Sequence, residues 1–551
     1  MAQLRVDNKK RIMEEDTMKK RMKKIVGAIL AATMTMSMVA CGDSSGSANT
    51  INGKTTAEGS DDSAISADSP YAGKGFNFST PETIVMYVLG DKPADMDTVL
   101  EKANSEYFEP NLNTTLDIEF LNWSDYATKY SLLLSGGEQV DLIYTASWCY
   151  YNDEVAAGAF KKLDNEFIQT YLPYTYAELP EEAWKEIAIN GDVYAVPKGK
   201  ATFTAYNGAV VRQDLIDKYS LTTPDSWDNF KTYLEELANL QSETGVTALN
   251  TNANREQLFT LFCQENTLQG VTEGYDFLYQ ANNSEKAPAP EDIEYAYMSD
   301  YYTDYALQMA DLAGKGVWSA NAINDTTDSQ SYFENGTSGA FVWNSSVFTA
   351  GDNLESSGLG TYAVYDVTPD TKRSRGAYSV DATAITEKSA DPERAALVLD
   401  YMKSDVDLNR LLLGGIEGTH YELDADGNRV TLDKAADYPW NGWAWAINRQ
   451  DEPDEAGLDE RAVVYGEHCD EMEFVPEQTG FTFDPSPVQN QYTAVQSVVS
   501  EYQQSFALGI YGKDTEKSIE EFHQALKDAG VDAFTEEFIK QYTEYKEANG
   551  I

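Results

Sequence analysis

His468 and Cys469 stand side by side, and adjacent residues on a helix cannot grip one metal ion as residues three or four apart can. The other histidines, His420 and His523, are remote, as are Cys41, Cys149 and Cys263. No C-x-x-C pair is present, so neither a thiolate metal site nor a redox pair is expected, and no disulfide framework follows. Cys469 reads as a buried thiol beside a surface histidine. The pairing state of Cys149, Cys263 and Cys469 stays open.

Other reactive patterns fail on context. Gly42 to Gly46 satisfies G-x-S-x-G but has no strand before it or helix after it. Gly358 to Ala363 satisfies G-x-G-x-x-A, yet strand-like "TYAVYDV" stands where a nucleotide-binding helix should begin. Asp424, Asp426 and Asn428 hint at a calcium loop, but Ala435 occupies the twelfth position. A hairpin turning at Asp426-Gly427 fits better. No catalytic residue, cofactor or metal is expected.

The aromatic residues are more informative. Trp148 and Tyr150 follow the end of an apolar run, where open α/β sheets place their ligand crevice. Trp343 closes another such run, and "YPWNGWAWAIN" carries Trp440, Trp443 and Trp445 among Pro, Asn and Gly. Ring faces of this kind stack on the C–H faces of sugars while neighbouring Asp, Asn and Lys bond to hydroxyls. Plain core packing explains a tryptophan inside a strand equally well.

The elements that must hold these rings alternate. Ile84 to Leu89 is a continuous apolar run suited to a strand buried on both faces. A helix over 95–108, a strand over 114–120, a helix ending at Gly136-Gly137 and a strand over 140–147 follow. This order predicts a parallel sheet with crossover helices, hence an α/β fold. A second body contains a strand over 338–346, and a further strand is expected over 381–386. Asp391 as N-cap with Pro392 at N1 opens a helix after it. Val488, Tyr492, Val495, Val499, Tyr502 and Phe506 then mark one face of a C-terminal helix.

The start of the chain reads as a targeting segment. Lys19 to Lys24 form a basic cluster, Ile25 to Ala40 an uncharged apolar stretch too short for a comfortable membrane span. Met38-Val39-Ala40-Cys41 resembles the bacterial lipobox, in which Cys41 receives the lipid and becomes the new N-terminus. Acidic Glu14, Glu15 and Asp16 precede the basic cluster, which points to Met18 as the true start. Residues 41–75 read as a Ser/Gly/Asp-rich tether. Removing residues 1–40 takes nine of 41 basic and four of 91 acidic side chains, leaving 32 and 87, a net charge of −55. Such a surface repels nucleic acid.

From about residue 80 onward the chain resembles the extracellular solute-binding lipoproteins of bacterial carbohydrate ABC transporters, in a Gram-positive branch. "NGDVYAVP" (190–197), "FENGTSGAFVWN" (333–344), "GGIEGTHYELDADG" (414–427) and "GFTFDPSPVQNQYTAVQSVVSEY" (480–502) carry the likeness. The resemblance implies a type II periplasmic-binding-protein fold: two α/β lobes closing on a ligand. The first lobe would be 78–200 plus 381–413, the second 205–376 plus 420–551. Crossings are expected near 198–205, 376–382 and 413–421. It implies a monomer tethered to the outer membrane face by its lipid, an oligosaccharide ligand and permease subunits as partners. Peptide binding and a secreted glycan-active enzyme are the alternatives. By position, Asp91, Lys92, Trp148, Tyr150, Tyr206, Trp343, Glu417 and Trp443 are the candidate ligand contacts.

Overall fold

Eight strands carry the architecture of the computed structural model, which describes residues 64–551 apart from 124, 200–207, 252–255, 441–444, 450 and 458. All described residues belong to the contact unit Gly59–Ile551. Cys41, the leader and most of the tether lie outside the described residues. In chain order the strands are β1 (Glu82–Leu89), β2 (Thr114–Leu121), β3 (Leu142–Thr145) and β4 (Ala195–Pro197). Next come β5 (Gly208–Arg212), β6 (Ala340–Trp343), β7 (Tyr362–Tyr365) and β8 (Ala382–Ile385).

The first sheet has the order β2-β1-β3-β8-β4. β1 runs parallel to β2 and β3, as the strand–helix alternation requires. β8 runs antiparallel to both β3 and β4. The chain therefore leaves this sheet after β4 and returns at β8. β3 and β8 are buried at every residue, in keeping with strands covered on both faces.

The helices follow the sequence signals closely. α1 (Met96–Ala103) buries Met96, Val99 and Ala103. It continues through one wide turn at Asn104–Phe108 into Glu109–Leu112, four residues beyond the expected end, and Asn113 stops it at φ 47°. α2 (Tyr126–Ser135) follows β2. α3 (Glu181–Glu186) precedes β4. α4 (Pro392–Ser404) opens with Pro392, and the Asp391 side chain accepts the Arg394 N–H at 2.9 Å.

A second core forms around the antiparallel sheet β7-β5-β6 and a smaller sheet built from Leu268–Gly270, Phe277–Gln280 and Glu294–Tyr295. Three C-terminal helices, α5 (Gln489–Ala507), α6 (Thr515–Ala529) and α7 (Val531–Asn549), pack Val495, Val499, Phe522 and Phe538 into it. Their partner rings Tyr492 and Tyr502 sit on the predicted face of α5.

One boundary differs from the sequence reading, which gives 420–551 to the second lobe. Tyr438, Trp445 and Ile447 belong to the first core, where Asn409 Nδ2 donates to the Ile447 carbonyl at 2.9 Å. These bulky apolar side chains follow the hairpin at Tyr421–Leu423 and Arg429–Thr431 back across the first lobe. No helix among the described residues is long and apolar enough to cross a membrane.

Candidate functional site

Parallel strands end together, so the loops after β1, β2 and β3 converge on one edge of the first sheet. After β1 comes Gly90 at φ 112°, a conformation only glycine adopts easily. Its N–H donates to the Leu121 carbonyl at 2.9 Å. A Cβ there would stand 4.0 Å from Trp123 Nε1. The loop after β1 and the ring after β2 are thus close neighbours.

Trp123 and Trp148 are large side chains left in solvent, 44% and 40% exposed. Tyr126, at the start of α2, meets both edge-on. Its ring centroid is 5.7 Å from that of Trp123 and 6.4 Å from that of Trp148, both at 78°. The Trp148 indole also leans on Tyr144 and donates through Nε1 to the Val380 carbonyl at 3.0 Å. Tyr150 stacks on buried Tyr130 at 5.2 Å and donates its hydroxyl to the Ala127 carbonyl at 3.0 Å. Its backbone holds φ 59°, a left-handed conformation costly for an aromatic residue. Together these rings form an apolar platform at the strand ends.

The segment that leaves the first sheet after β4 and the one that re-enters it at β8 both meet this corner. Tyr144 OH donates to Asp381 Oδ1 at 2.5 Å, and Asp381 pairs through its other oxygen with buried Lys198. Ser147 N donates to the Ser379 carbonyl at 2.8 Å. The segments around 198 and 379–381 are therefore both fastened to the end of β3.

The other expected contacts scatter. Asp91 and Lys92 are exposed on the loop beside Trp123, with Lys92 Nζ paired to Asp97 at 2.7 Å. Glu417 is exposed on the turn that His420 pins to Asp95, at the start of α1. Trp343 is half-buried at the end of β6, in register with Gly208, the first residue of β5. Tyr206 and Trp443 lie outside the described residues. Trp440 is packing: it meets Tyr421 edge-on at 5.4 Å and carries Arg429 over its face at 4.8 Å. Trp445 is core, 2% exposed. Trp123 and Tyr126 are absent from the sequence-derived set, although Trp123 follows β2 much as Trp148 follows β3.

Two cavities lie near the junction of the two cores. One of about 1200 Å³ separates the α3 region from Thr479–Asp484 and α7, with Tyr176, Trp184 and Tyr545 in its walls. A smaller one of about 210 Å³ lies under Ser147, against Glu273, Arg375 and Gln478. Cys149, Cys263 and Cys469 are all buried and unpaired, and burial pushes the Cys149 thiol up to about 12. Cys469 is buried and Asp366 accepts from neighbouring His468 at 2.9 Å, the arrangement of a structural helix anchor.

Residues 477–547 match a family model described as "Domain of unknown function (DUF3502)". A relative named "Carbohydrate ABC transporter substrate-binding protein", from Streptococcus pneumoniae, is 22% identical over 472 residues, covering 84% of this chain and 90% of the relative. Among solved structures, the N-glycan transport solute binding protein NgtS from Streptococcus pneumoniae superposes with a TM-score of 0.64. It is 19% identical and covers 84% of this chain and 99% of its own. Its complex with Man5GlcNAc gives 0.62 at 20% identity, covering 85% of this chain and 99% of its own. The alginate-binding protein AlgQ2 gives 0.61 at 15% identity, covering 84% and 98%. These likenesses establish the fold expected from the sequence, two α/β lobes of the type II solute-binding arrangement.

Proposed function

We propose that this chain, which has the fold of the type II solute-binding proteins, captures an oligosaccharide by lobe closure and delivers it to an ABC transporter. The observation that carries this reading is the pair of exposed indoles, Trp123 and Trp148, both in edge contact with Tyr126 at the strand ends beside the lobe crossings. Two flat apolar faces with Asp91 and Lys92 on the next loop suit alternating C–H faces and hydroxyls. The name of the curated relative and the glycans in the NgtS complexes support the same ligand class.

The chemistry is binding, not turnover. Micromolar affinity corresponds to about −8 kcal/mol, and part of it must drive the shift from open to closed lobes. Tyr150, Trp343 and Glu417, together with Tyr206 and Trp443, are proposed to complete the site. The closed protein docks on permease subunits as a monomer. Cys41 carries the lipid that holds the protein at the outer membrane face. Replacing Cys41 by Ser should release the protein to the medium; a protein still sedimenting with membranes would contradict the anchor.

Titration calorimetry against linear and branched oligosaccharides tests the ligand. Trp148→Ala and Trp443→Ala should weaken the tightest binder. Unchanged affinity in both would remove the site from this corner.

A further inference from the structure

Residues 144–148 make an unusual set of connections for five consecutive positions. Tyr144 holds Asp381 and, through it, Lys198. Ser147 N and Trp148 Nε1 bond the carbonyls of Ser379 and Val380. The Ser147 hydroxyl points the other way and donates to the carboxylate of Glu273, which belongs to the second core's turn at Val271–Gly274. That turn comes very close. Gly274 sits at φ 80°, and a Cβ on it would lie 3.4 Å from the Ser147 carbonyl oxygen. Thr272 Oγ1 ties the same turn to the Phe481 carbonyl at 2.6 Å, within the C-terminal region.

Beneath this contact lies the 210 Å³ cavity, whose mixed lining brings Ser147, Asn152, Glu273, Arg375, Gln478 and Thr482 together beside Val271, Pro476 and Phe481. Gln478 is 1% exposed and spends its amide donor on Tyr279 OH at 2.9 Å, leaving Oε1 without a partner. Asn152 Oδ1 is likewise unpaired. A space of this size beside unpaired polar atoms has room for on the order of ten or more waters, at roughly 10–15 Å³ of accessible volume each. Water-bridged contacts cost little to exchange, so a junction over such a space can break and re-form as the lobes move. A dry core would not allow that.

We propose that Glu273 is a positioning residue that couples occupancy of the Trp123–Trp148 platform to lobe closure, by fastening the second lobe to the residue next to Trp148. This rests on the ligand reading above. A sugar stacked on Trp148 presses on a ring held to the crossing at Val380, and the adjacent Ser147 passes the restraint to the opposite lobe. The bond favours the arrangement in which the second lobe faces the platform at close range.

Spin labels at Leu132→Cys and Leu359→Cys, exposed sites on the two lobes, report the inter-lobe distance distribution by pulsed resonance. The three described native cysteines are buried. Without sugar, Glu273→Ala and Ser147→Ala should broaden and lengthen the distribution, while Glu273→Gln, which still accepts from Ser147, should restore it. With the tightest oligosaccharide of the panel, Glu273→Ala should lose roughly fivefold to tenfold in affinity with Trp148 untouched. Identical distributions in all variants would overturn the proposal, as would a Glu273→Gln variant as loose as Glu273→Ala. If no sugar binds the wild-type protein, the ligand reading falls, and the sugar-free distances still decide whether Glu273 joins the lobes.

Discussion

His420 Nε2 lies 3.1 Å from Asp95 Oδ2, while its Nδ1 accepts the Ile416 N–H at 2.8 Å. Because Nδ1 is the acceptor, the ring proton sits on Nε2 and is donated to Asp95. A buried histidine in this one tautomer pins the segment 414–421 to the start of α1. It also explains the glycine before it. Gly415 holds φ 78°, and a Cβ on it would stand 2.4 Å from His420 Nδ1.

Replacing His420 by Ala should therefore cost about 2 kcal/mol, since a buried N–H loses its acceptor and Asp95 loses its donor. Urea unfolding measures it. A His420→Ala protein as stable as wild type would show that the segment is held by its hairpin alone.

The Arg375–Glu186 pair should be costlier to break. Arg375 Nη2 and Nη1 reach the two Glu186 oxygens at 2.5 and 3.2 Å, and both side chains are nearly buried, 11% and 7% exposed. The Tyr378 N–H donates to the same carboxylate at 3.0 Å. Arg375→Ala leaves an uncompensated buried charge, for which about 3 kcal/mol is expected. Adding Glu186→Gln should recover part of the loss. Additive losses in the double variant would mean the two side chains act separately.

Much of this architecture was legible because strand burial and helix caps are local. The unbroken run Ile84–Leu89 and the pair Asp391-Pro392 each specify an element with no help from distant residues. For the candidate site the usable local signal is the strand-end rule. It singles out Trp148 after β3 and applies equally to Trp123 after β2, a residue the helix signals that follow it obscure. Trp440 and Trp445 look alike in sequence, yet Arg429 and Tyr421 cover one and the first core swallows the other. The Ser147–Glu273 bond joins positions 126 apart, and no periodicity records such a contact.

Asp276 gives the second core a pH dependence. Burial pushes its carboxyl up to about 6, with Tyr295, Tyr297 and Tyr302 around it. Its unfolded value is about 3.9, so the folded state binds the proton more tightly. The stability this gives is complete below about pH 4 and fades as pH rises through 6. Asp276→Asn cannot ionise and should gain about 2 kcal/mol on the wild type at pH 8, with little difference near pH 4. Thermal unfolding of both proteins across that range measures the difference, in which the other carboxylates cancel. A gap that does not widen between pH 4 and 8 would place the titration elsewhere.

Trp123 and Trp445 should separate binding from folding. Trp123 is 44% exposed, so truncation removes less packed area than at a core position. Trp445 is 2% exposed and meets Phe120 within the first core at 6.3 Å. Cutting it to Ala opens a cavity costing about 3–5 kcal/mol. If the platform binds sugar rings, Trp123→Ala should keep the wild-type unfolding midpoint while losing roughly tenfold in affinity, about 1.4 kcal/mol. Trp445→Ala should do the reverse, lowering stability while the folded fraction binds with nearly wild-type affinity. Trp123→Phe retains a flat face and should recover part of the binding. Affinity untouched in both Trp123 variants would remove Trp123 from the binding surface.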